Sequence, residues 1–220
     1  MVVPVSECIV AGQRVTLLAQ RAMYWPGEAT LFVADFHLGK AASFRSAGIP
    51  MPGGTTTEMT DRLASIVAAT GARRIVFLGD FLHSKAGRAE KTLARFASWR
   101  EAHGDLSLTI VRGNHDEHAG DPPAEWGITC VAEGAALGPF ILAHHPEPRA
   151  KGYTLAGHIH PAVWLSEKGG GGMKLPCFWF GPALGVLPAF GAFTGSSVVR
   201  PKRGDKVFVV ADDEVLAVRG

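Results

Sequence analysis

The sequence predicts an α/β fold, a βαβαβ half followed by a strand-rich half, with two sheets face to face and helices outside. Three observations carry this. Apolar runs at Leu31-Phe32-Val33, Ile75-Val76-Phe77-Leu78 and Leu106 to Val111 alternate with stretches of helical periodicity. That periodicity stops after Asp121-Pro122-Pro123, and short apolar runs follow. Five of the apolar runs end in Asp, Asn or His, as strands of an α/β sheet do when they deliver ligands to one edge.

In chain order, Cys8-Ile9-Val10 and Val15-Thr16-Leu17-Leu18 flank Ala11-Gly12-Gln13 and read as a hairpin. Tyr24-Trp25-Pro26 reads as a turn before a strand at Leu31 to Ala34. Asp35 to Gly54 reads as a loop of small residues. Thr55-x-x-Glu58 resembles a capping box. Behind it Met59, Leu63, Ile66, Val67 and Thr70 share one helical face, and Gly71 closes the helix. Arg74 to Leu78 is a strand. A second helix is expected over Arg88 to His103, with Leu93, Phe96 and Ala97 inward and Lys91, Arg95 and Arg100 outward. Seven short strands follow, at Ile128–Val131, Phe140–Ala143, Tyr153–Ala156, Ala162–Leu165, Lys174–Phe180, Lys206–Val210 and Glu214–Val218. Gly169 to Gly172 reads as a hairpin tip or flexible loop.

The chain has 220 residues, enough for a sizeable core, and one domain over 1–220 is expected. Apolar residues make up 47% and charged ones 19%, which fits a soluble globular protein. A net charge of +2 permits an anionic partner without demanding one. Cys8, Cys130 and Cys177 are odd in number and far apart, which argues against a disulfide framework and for a reducing cytoplasm. Met1 to Val10 lacks the pattern of a secretory signal. Leu175 to Phe193 carries no charge, but three prolines and three glycines interrupt it, so it reads as buried strands and no membrane association is expected.

The strand ends are Asp35-Phe36-His37, Gly79-Asp80, Gly113-Asn114-His115-Asp116, His144-His145 and Gly157-His158-Ile159-His160. Asp35, His37, Asp80, Asn114, His144 or His145, His158 and His160 are too many ligands for one tetrahedral zinc, and no thiolate is among them. Mixed nitrogen and oxygen donors suit two divalent ions about 3.5–4 Å apart, a clamp for phosphoryl transfer. Such a pair needs a shared ligand. Asp80, midway in the order, is the natural bridge. Taken singly, each position could equally be strand-end turn chemistry.

In their joint order these motifs resemble the calcineurin-like binuclear metallophosphoesterases. The resemblance implies a four-layer α-β-β-α sandwich with two mixed sheets. It also implies that Asp35, His37 and His160 hold one metal, that Asn114, His144 and His158 hold the other, and that Asp80 lies between. A metal-bridging hydroxide then attacks phosphorus, with His115 over the leaving group. The family has His-Gly where this chain has His144-His145, and the first His is assigned to the metal. Tyr24-Trp25-Pro26, Asp35-Phe36-His37-Leu38-Gly39-Lys40, Gly79-Asp80-Phe81-Leu82-His83-Ser84, Gly157-His158-Ile159-His160-Pro161 and Pro176-Cys177-Phe178-Trp179-Phe180-Gly181 narrow the likeness. They are similar to the bacterial ligase-associated DNA damage response endonucleases of the PdeM group. That implies a manganese-dependent phosphodiesterase cutting single-stranded DNA, associated with an ATP-dependent DNA ligase and a helicase; zinc, iron, cobalt or nickel are alternative ions.

His83, three residues past Asp80, is a candidate contact to the substrate phosphate or else a surface residue. Lys40, Arg45, Lys85, Arg88, Arg149 and Lys151 follow the strand-end motifs and are candidates for an anion-binding rim, against the ordinary reading of a solvated edge. Asp116 could orient His115 or cap the next turn. Trp164 and Trp179 read as core rather than base-stacking platforms, and His103 and His118 as surface. Two rival functions remain. One is a small-molecule phosphohydrolase acting on a nucleotide or pyrophosphate, against which stands the lack of a large cap insertion. The other is a non-catalytic scaffold, against which stands the full ligand set.

Overall fold

The computed structural model describes residues 5–166 and 170–218. Two sheets pack face to face. The first has seven strands in sequence order: β1 (Val5–Val10), β2 (Gln13–Leu18), β3 (Ala22–Trp25), β4 (Thr30–Ala34), β5 (Arg74–Leu78), β6 (Ser107–Val111) and β7 (Thr129–Val131). The pairs β1 to β4 are antiparallel and β4 to β7 parallel. Helices α1 (Lys40–Ser46), α2 (Thr55–Thr70), α3 (Glu90–Ala102) and α4 (Asn114–Ala119) fall between these strands.

The second sheet holds β8 (Ala135–Leu137), β9 (Phe140–Leu142), β10 (Tyr153–Ala156), β11 (Pro161–Ser166), β12 (Gly172–Phe180), β13 (Leu184–Val186), β14 (Ser197–Val198), β15 (Lys206–Ala211) and β16 (Glu214–Val218). Its order is β14-β11-β12-β13-β10-β9-β8, with β15 pairing β12 and β16. Strands β9, β10 and β13 run parallel. The hairpin tip expected at Gly169–Gly172 lies partly outside the described residues, as do Met1 to Pro4.

Three apolar layers hold the fold. Alternate residues of the central strands (Leu31, Val33, Ile75, Phe77, Leu108, Ile110) meet Met59, Leu63 and Ile66 of α2 and Phe96 and Trp99 of α3. Their neighbours (Phe32, Ala34, Val76, Leu78, Val111) meet Phe140, Leu142, Leu155, Phe178 and Phe180 of the second sheet. This is the period-2 alternation of strands buried on both faces. On the far side of the second sheet, Val163, Cys177, Val207 and Val209 pack against half-buried Leu165, Leu175, Trp179, Val199 and Val218. The α/β class and the two mixed sheets are as expected. Helices α2 and α3 cover the first sheet, while among the described residues no α-helix follows α4 in the chain, so the layer over the second sheet is thin.

Several local expectations are corrected. Tyr24 and Trp25 belong to β3 rather than a turn: Tyr24 pairs with Thr16 and Leu31, and the turn starts at Pro26. The stretch 35–54 is not all loop, since α1 starts after Gly39 (φ 84°) and buries Ala41. Thr55 does not form a capping box; it is already helical, and Gly54 (φ 85°) precedes it without a side-chain cap. The Gly71 stop holds, with φ 66° and its N–H on the Val67 carbonyl at 2.9 Å. Arg88 and Ala89 precede α3, because Ala89 is extended (ψ 140°). The uncharged Leu175 to Phe193 segment supplies strands β12 and β13, and no helix of the described residues is long and apolar enough to cross a membrane.

Phe36 links this core to the strand ends. Its ring is fully buried and packs against Phe77, Phe81, Phe96 and Phe190 at centroid distances of 5.3, 5.4, 6.0 and 5.5 Å. Truncation by Phe36→Ala is expected to cost about 3–5 kcal/mol. Urea unfolding monitored by circular dichroism checks this, and a midpoint close to that of the wild type would contradict it.

Candidate active site

Asp35 and His37 follow β4, Asp80 follows β5, Asn114 opens α4 after β6, His144 follows β9, and His158 and His160 follow β10. All these strands point their C-terminal ends at one place, along one end of the two packed sheets. The backbone there is unusual. Asp35, His37, Asp80, His158 and His160 have φ of 50°, 51°, 49°, 71° and 47°, the left-handed region that non-glycine residues rarely enter. Strain of this kind gathers where a side chain must be aimed, and here it turns each chain end so that the side chain points inward.

Glycines make the approach possible. Gly79 has φ 80°, and a Cβ there would lie 2.6 Å from His144 Cβ. At Gly157 a Cβ would lie 2.5 Å from Asp35 Oδ2.

Hydrogen bonds set the imidazoles. The His160 Nδ1–H donates to the Gly195 carbonyl (2.9 Å), and the His144 Nδ1–H to the Leu78 carbonyl (3.3 Å). A carbonyl only accepts, so in the neutral ring each Nε2 is left with a bare lone pair. His144 Nε2 then faces Asn114 Oδ1 at 3.0 Å, His158 Nδ1 at 2.9 Å and Asp80 Oδ1 at 3.4 Å. His160 Nε2 lies 3.5 Å from Asp35 Oδ1, and His37 Nε2 lies 3.8 Å from Asp80 Oδ2. Both nitrogens are buried and, among the described residues, have no hydrogen-bond partner.

Burial, reinforced by the nearby Lys40 charge, pushes the His37 pKa far down. Burial likewise holds His144 down at about 4. The lone pairs of His37 and His144 and the nearby carboxylates repel unless a cation sits among them, so the donor set fits divalent metal. Asp35, His37 and His160 form one compact donor group, Asp35, Asp80 and His144 a second, and His144, His145 and His158 a third. Asp80 faces His37 through one oxygen and His144 through the other.

The two adjacent histidines differ. His144 is fully buried and faces Asp80 and Asn114, whereas the His145 side chain is 43% exposed and its Nδ1 sits 3.0 Å from Glu133 Oε1. Glu133 was not singled out by the sequence, and nothing in its neighbourhood signals it. Its Oε1 accepts the backbone N–H of both His144 (2.7 Å) and His145 (2.6 Å). Asp116 is buried and caps its own turn: its carboxylate accepts N–H groups from Gly113, Phe81 and Leu82. It thereby ties the loop after β6 to the loop after β5. Burial raises its pKa to about 6.

His115 Nδ1–H donates to the His83 carbonyl at 2.6 Å, and the two rings stack at 4.7 Å. His115 Nε2 lies 3.9 Å from Asp80 Oδ2. His83 is half-buried beside His37, with Nδ1 atoms 3.4 Å apart, so it belongs to the cluster and is not a remote surface residue. Burial, then the Lys40 and His115 charges, lower its pKa to about 4.

The expected cationic rim is only partly assembled. Lys40 is half-buried near Asp80 and Asp35, and burial lowers its pKa. Arg45 donates to the Pro52 carbonyl. Arg88 is bound to the carbonyls of Ala119, Gly120 and Asp121, and Arg149 is paired with Glu133 at 2.7 Å. These three have structural partners that spacing did not reveal. Lys85 and Lys151 are exposed. His118 is exposed as expected, but His103 is half-buried and stacks on Trp99 at 4.6 Å. Trp179 is half-buried and donates to Asp205, while Trp164 is 57% exposed and is not core.

Gly113 offers a clean test of how closely the loops must approach. Its φ of −101° suits any residue, so alanine there is wrong only through contact: a Cβ would lie 2.5 Å from Asp80 N. Gly113→Ala is expected to displace Asp80 and to lower bound divalent metal by tenfold or more, on the order of what misplaced ligand support costs. Metal content by mass spectrometry decides this, and wild-type content would contradict it.

No protein-family model matches the chain, and no curated protein does. Among solved structures, the chain is similar to the Pseudomonas putida nuclease MPE, at 38% identity and a TM-score of 0.86, over 97% of this chain and 100% of that one. A phosphoesterase from E. coli, Yfce, matches at 15% identity and a TM-score of 0.36 over 83% and 88%, a likeness too slight to carry weight. A donor cluster suited to divalent metal, seated at the strand ends of a fold shared from end to end with that nuclease, places the chain among the calcineurin-like metallophosphoesterases, metal-dependent hydrolases of phosphoester bonds.

Proposed function

We propose that this protein is a two-metal phosphodiesterase that cleaves single-stranded DNA. The observation that carries the two-metal reading is the position of Asp80. One of its oxygens faces His37 and the other faces His144, so a single carboxylate joins two groups of donors. Asp35, His37 and His160 would hold one ion, and Asn114, His144 and His158 the second. Manganese is favoured by the sequence resemblance, and oxygen- and nitrogen-rich sites of this type suit it. Two such ions would supply an activated water nucleophile at neutral pH and offset the charge on phosphate oxygens.

The chain's own groups do the rest. His115 is oriented by the His83 carbonyl, which keeps a proton on Nδ1 and turns Nε2 toward the cluster. Only the protonated ring then has an Nε2–H to give, so His115 acts as an imidazolium that donates to the departing oxygen. His83, held neutral by burial and by neighbouring charge, is placed to hydrogen-bond the phosphate. Lys40 adds positive charge beside the same oxygens. The nuclease activity named for the 38%-identical relative supports a polymeric substrate. The preference for single strands, and a role beside a DNA ligase and a helicase, rest on the sequence resemblance, and a cytoplasmic location rests on the cysteine pattern.

Asp80→Ala is expected to abolish hydrolysis and to lower bound metal below one ion per chain. His144→Ala should lose metal, whereas His145→Ala should keep it, because His145 is tied to Glu133. Metal analysis of the three variants, with a nuclease assay on single-stranded, duplex and mononucleotide substrates, tests the reading. Near-normal activity of Asp80→Ala would sink it, and turnover of mononucleotides alone would favour a small-molecule phosphohydrolase. For His115→Ala, metal should remain while activity on DNA falls by roughly 10²–10⁴-fold. Partial recovery on a nitrophenyl ester, whose leaving group needs no proton, separates a proton donor from a ligand.

A further inference from the structure

Two exposed aromatic side chains stand on the segments that hold His160, and the cluster does not use either. Strand β11 begins immediately after His160, and Trp164 lies four residues on, about 13 Å along an extended strand. Its indole is 57% exposed. It is nevertheless fixed in place: it lies over Gly172 of the paired strand, where a Cβ would come within 2.6 Å of the ring. The second is Phe193, 50% exposed, two residues before the Gly195 carbonyl that accepts from His160. Its φ is 58°, a costly conformation for a bulky residue and one that holds the ring out of the core.

Positive charge accompanies them. Lys174 is the cross-strand partner of Trp164, and its Nζ reaches the Ser196 carbonyl at 3.4 Å. Arg200, Lys202 and Arg203 are exposed on the chain that leaves β14, the strand paired with the start of β11. A groove of about 640 Å³ runs here, lined by Trp164, Val198, Val199, Pro201, Lys202 and Arg203 among others. Its lining also includes Val163, Leu165 and Asp205, and it lies outside the metal-ligating cluster. Rigid exposed aromatics interleaved with cations are what a single strand of nucleic acid requires: a π-face for each unpaired base and charge along the backbone. A duplex keeps its bases stacked internally and gains nothing from them.

We propose that Trp164 and Phe193 are base-stacking platforms that lead a single-stranded nucleic acid to the metal cluster, with Lys174, Lys202 and Arg203 along its phosphates. The inference rests on the nuclease reading above and adds to it the path of the strand and the source of strand selectivity.

The test uses the manganese-loaded protein and a phosphorothioate oligothymidylate that resists cleavage. Of the chain's five tryptophans, Trp25, Trp99 and Trp126 are buried and Trp179 is half-buried against Asp205. Oligonucleotide binding should therefore quench the fluorescence of Trp164, and Trp164→Phe should abolish the quench while keeping affinity within about threefold, since a ring remains. Trp164→Leu and Phe193→Leu should each raise Kd by roughly five- to a hundredfold, the range for loss of one stacked base. Hydrolysis of bis-p-nitrophenyl phosphate should fall far less, giving a ratio of the two losses above about five. Wild-type affinity in both leucine variants, an absent quench, or equal losses on both substrates would overturn the proposal. Failure of the wild type to hydrolyse the diester would instead strike the phosphodiesterase reading itself.

Discussion

Two carboxylates buried side by side govern this molecule. Asp35 is fully buried and Asp80 nearly so, and among the described residues neither forms an ion pair with a lysine or arginine. Their partners are histidines, and those at the centre are held unprotonated by burial. A buried negative charge without a compensating cation is expensive, and burial accordingly drives the Asp80 pKa upward. Backbone N–H groups soften the cost: His115 donates to Asp80, and His158 donates to Asp35. They cannot remove it. Divalent ions do, and so the arrangement that looks like a defect in the protein alone is the one that gives the cluster its affinity.

Holding such a cluster open demands rigidity, and the surrounding structure supplies it in two ways. The left-handed turns of five residues at three of the strand ends are local strain, sustained because the strands before them are locked on both faces by apolar layers. The anchoring carboxylates behind the cluster are the second. Asp116 gathers N–H groups from two loops and Glu133 gathers them from the His144-His145 turn, so three strand ends are fastened by side chains outside the two proposed ligand sets. Second contacts of this kind set where a ligand points, which is why a metal site is only as precise as its support.

The two sheets are covered unequally, and this asymmetry shapes the surface. Helices bury the outer face of the first sheet, while the outer face of the second is closed by strand residues and a loop. That leaves the groove beside β11 and β14 open, where a covering helix would have closed it. Trp164 alternates with Val163 and Leu165 and so stands on the opposite face of β11, beside Lys174, where a residue that looks like core meets solvent.

The sequence by itself determined the α/β class, the alternation of strand and helix up to Val111, and the identity of the polar groups at the strand ends. It could do so because strand and helix leave periodic marks, and because Asp, Asn and His after apolar runs are read directly. The short helix α1, the strands β8 and β14 and the start of α2 were not legible: their residues carry no periodic apolar pattern, and Gly39 and Gly54 set the chain direction through conformation alone. Tertiary structure decided which atoms of the cluster face one another. It showed that Asp80 stands between two donor groups, that His144 is buried while His145 is tied to Glu133, and that Arg88 and Arg149 have protein partners. These facts depend on left-handed turns and on contacts between residues far apart in the chain, and no local pattern encodes either. Exposure belongs to the same class. Whether a tryptophan is core or platform depends on what packs over its strand, and only the assembled layers answer that.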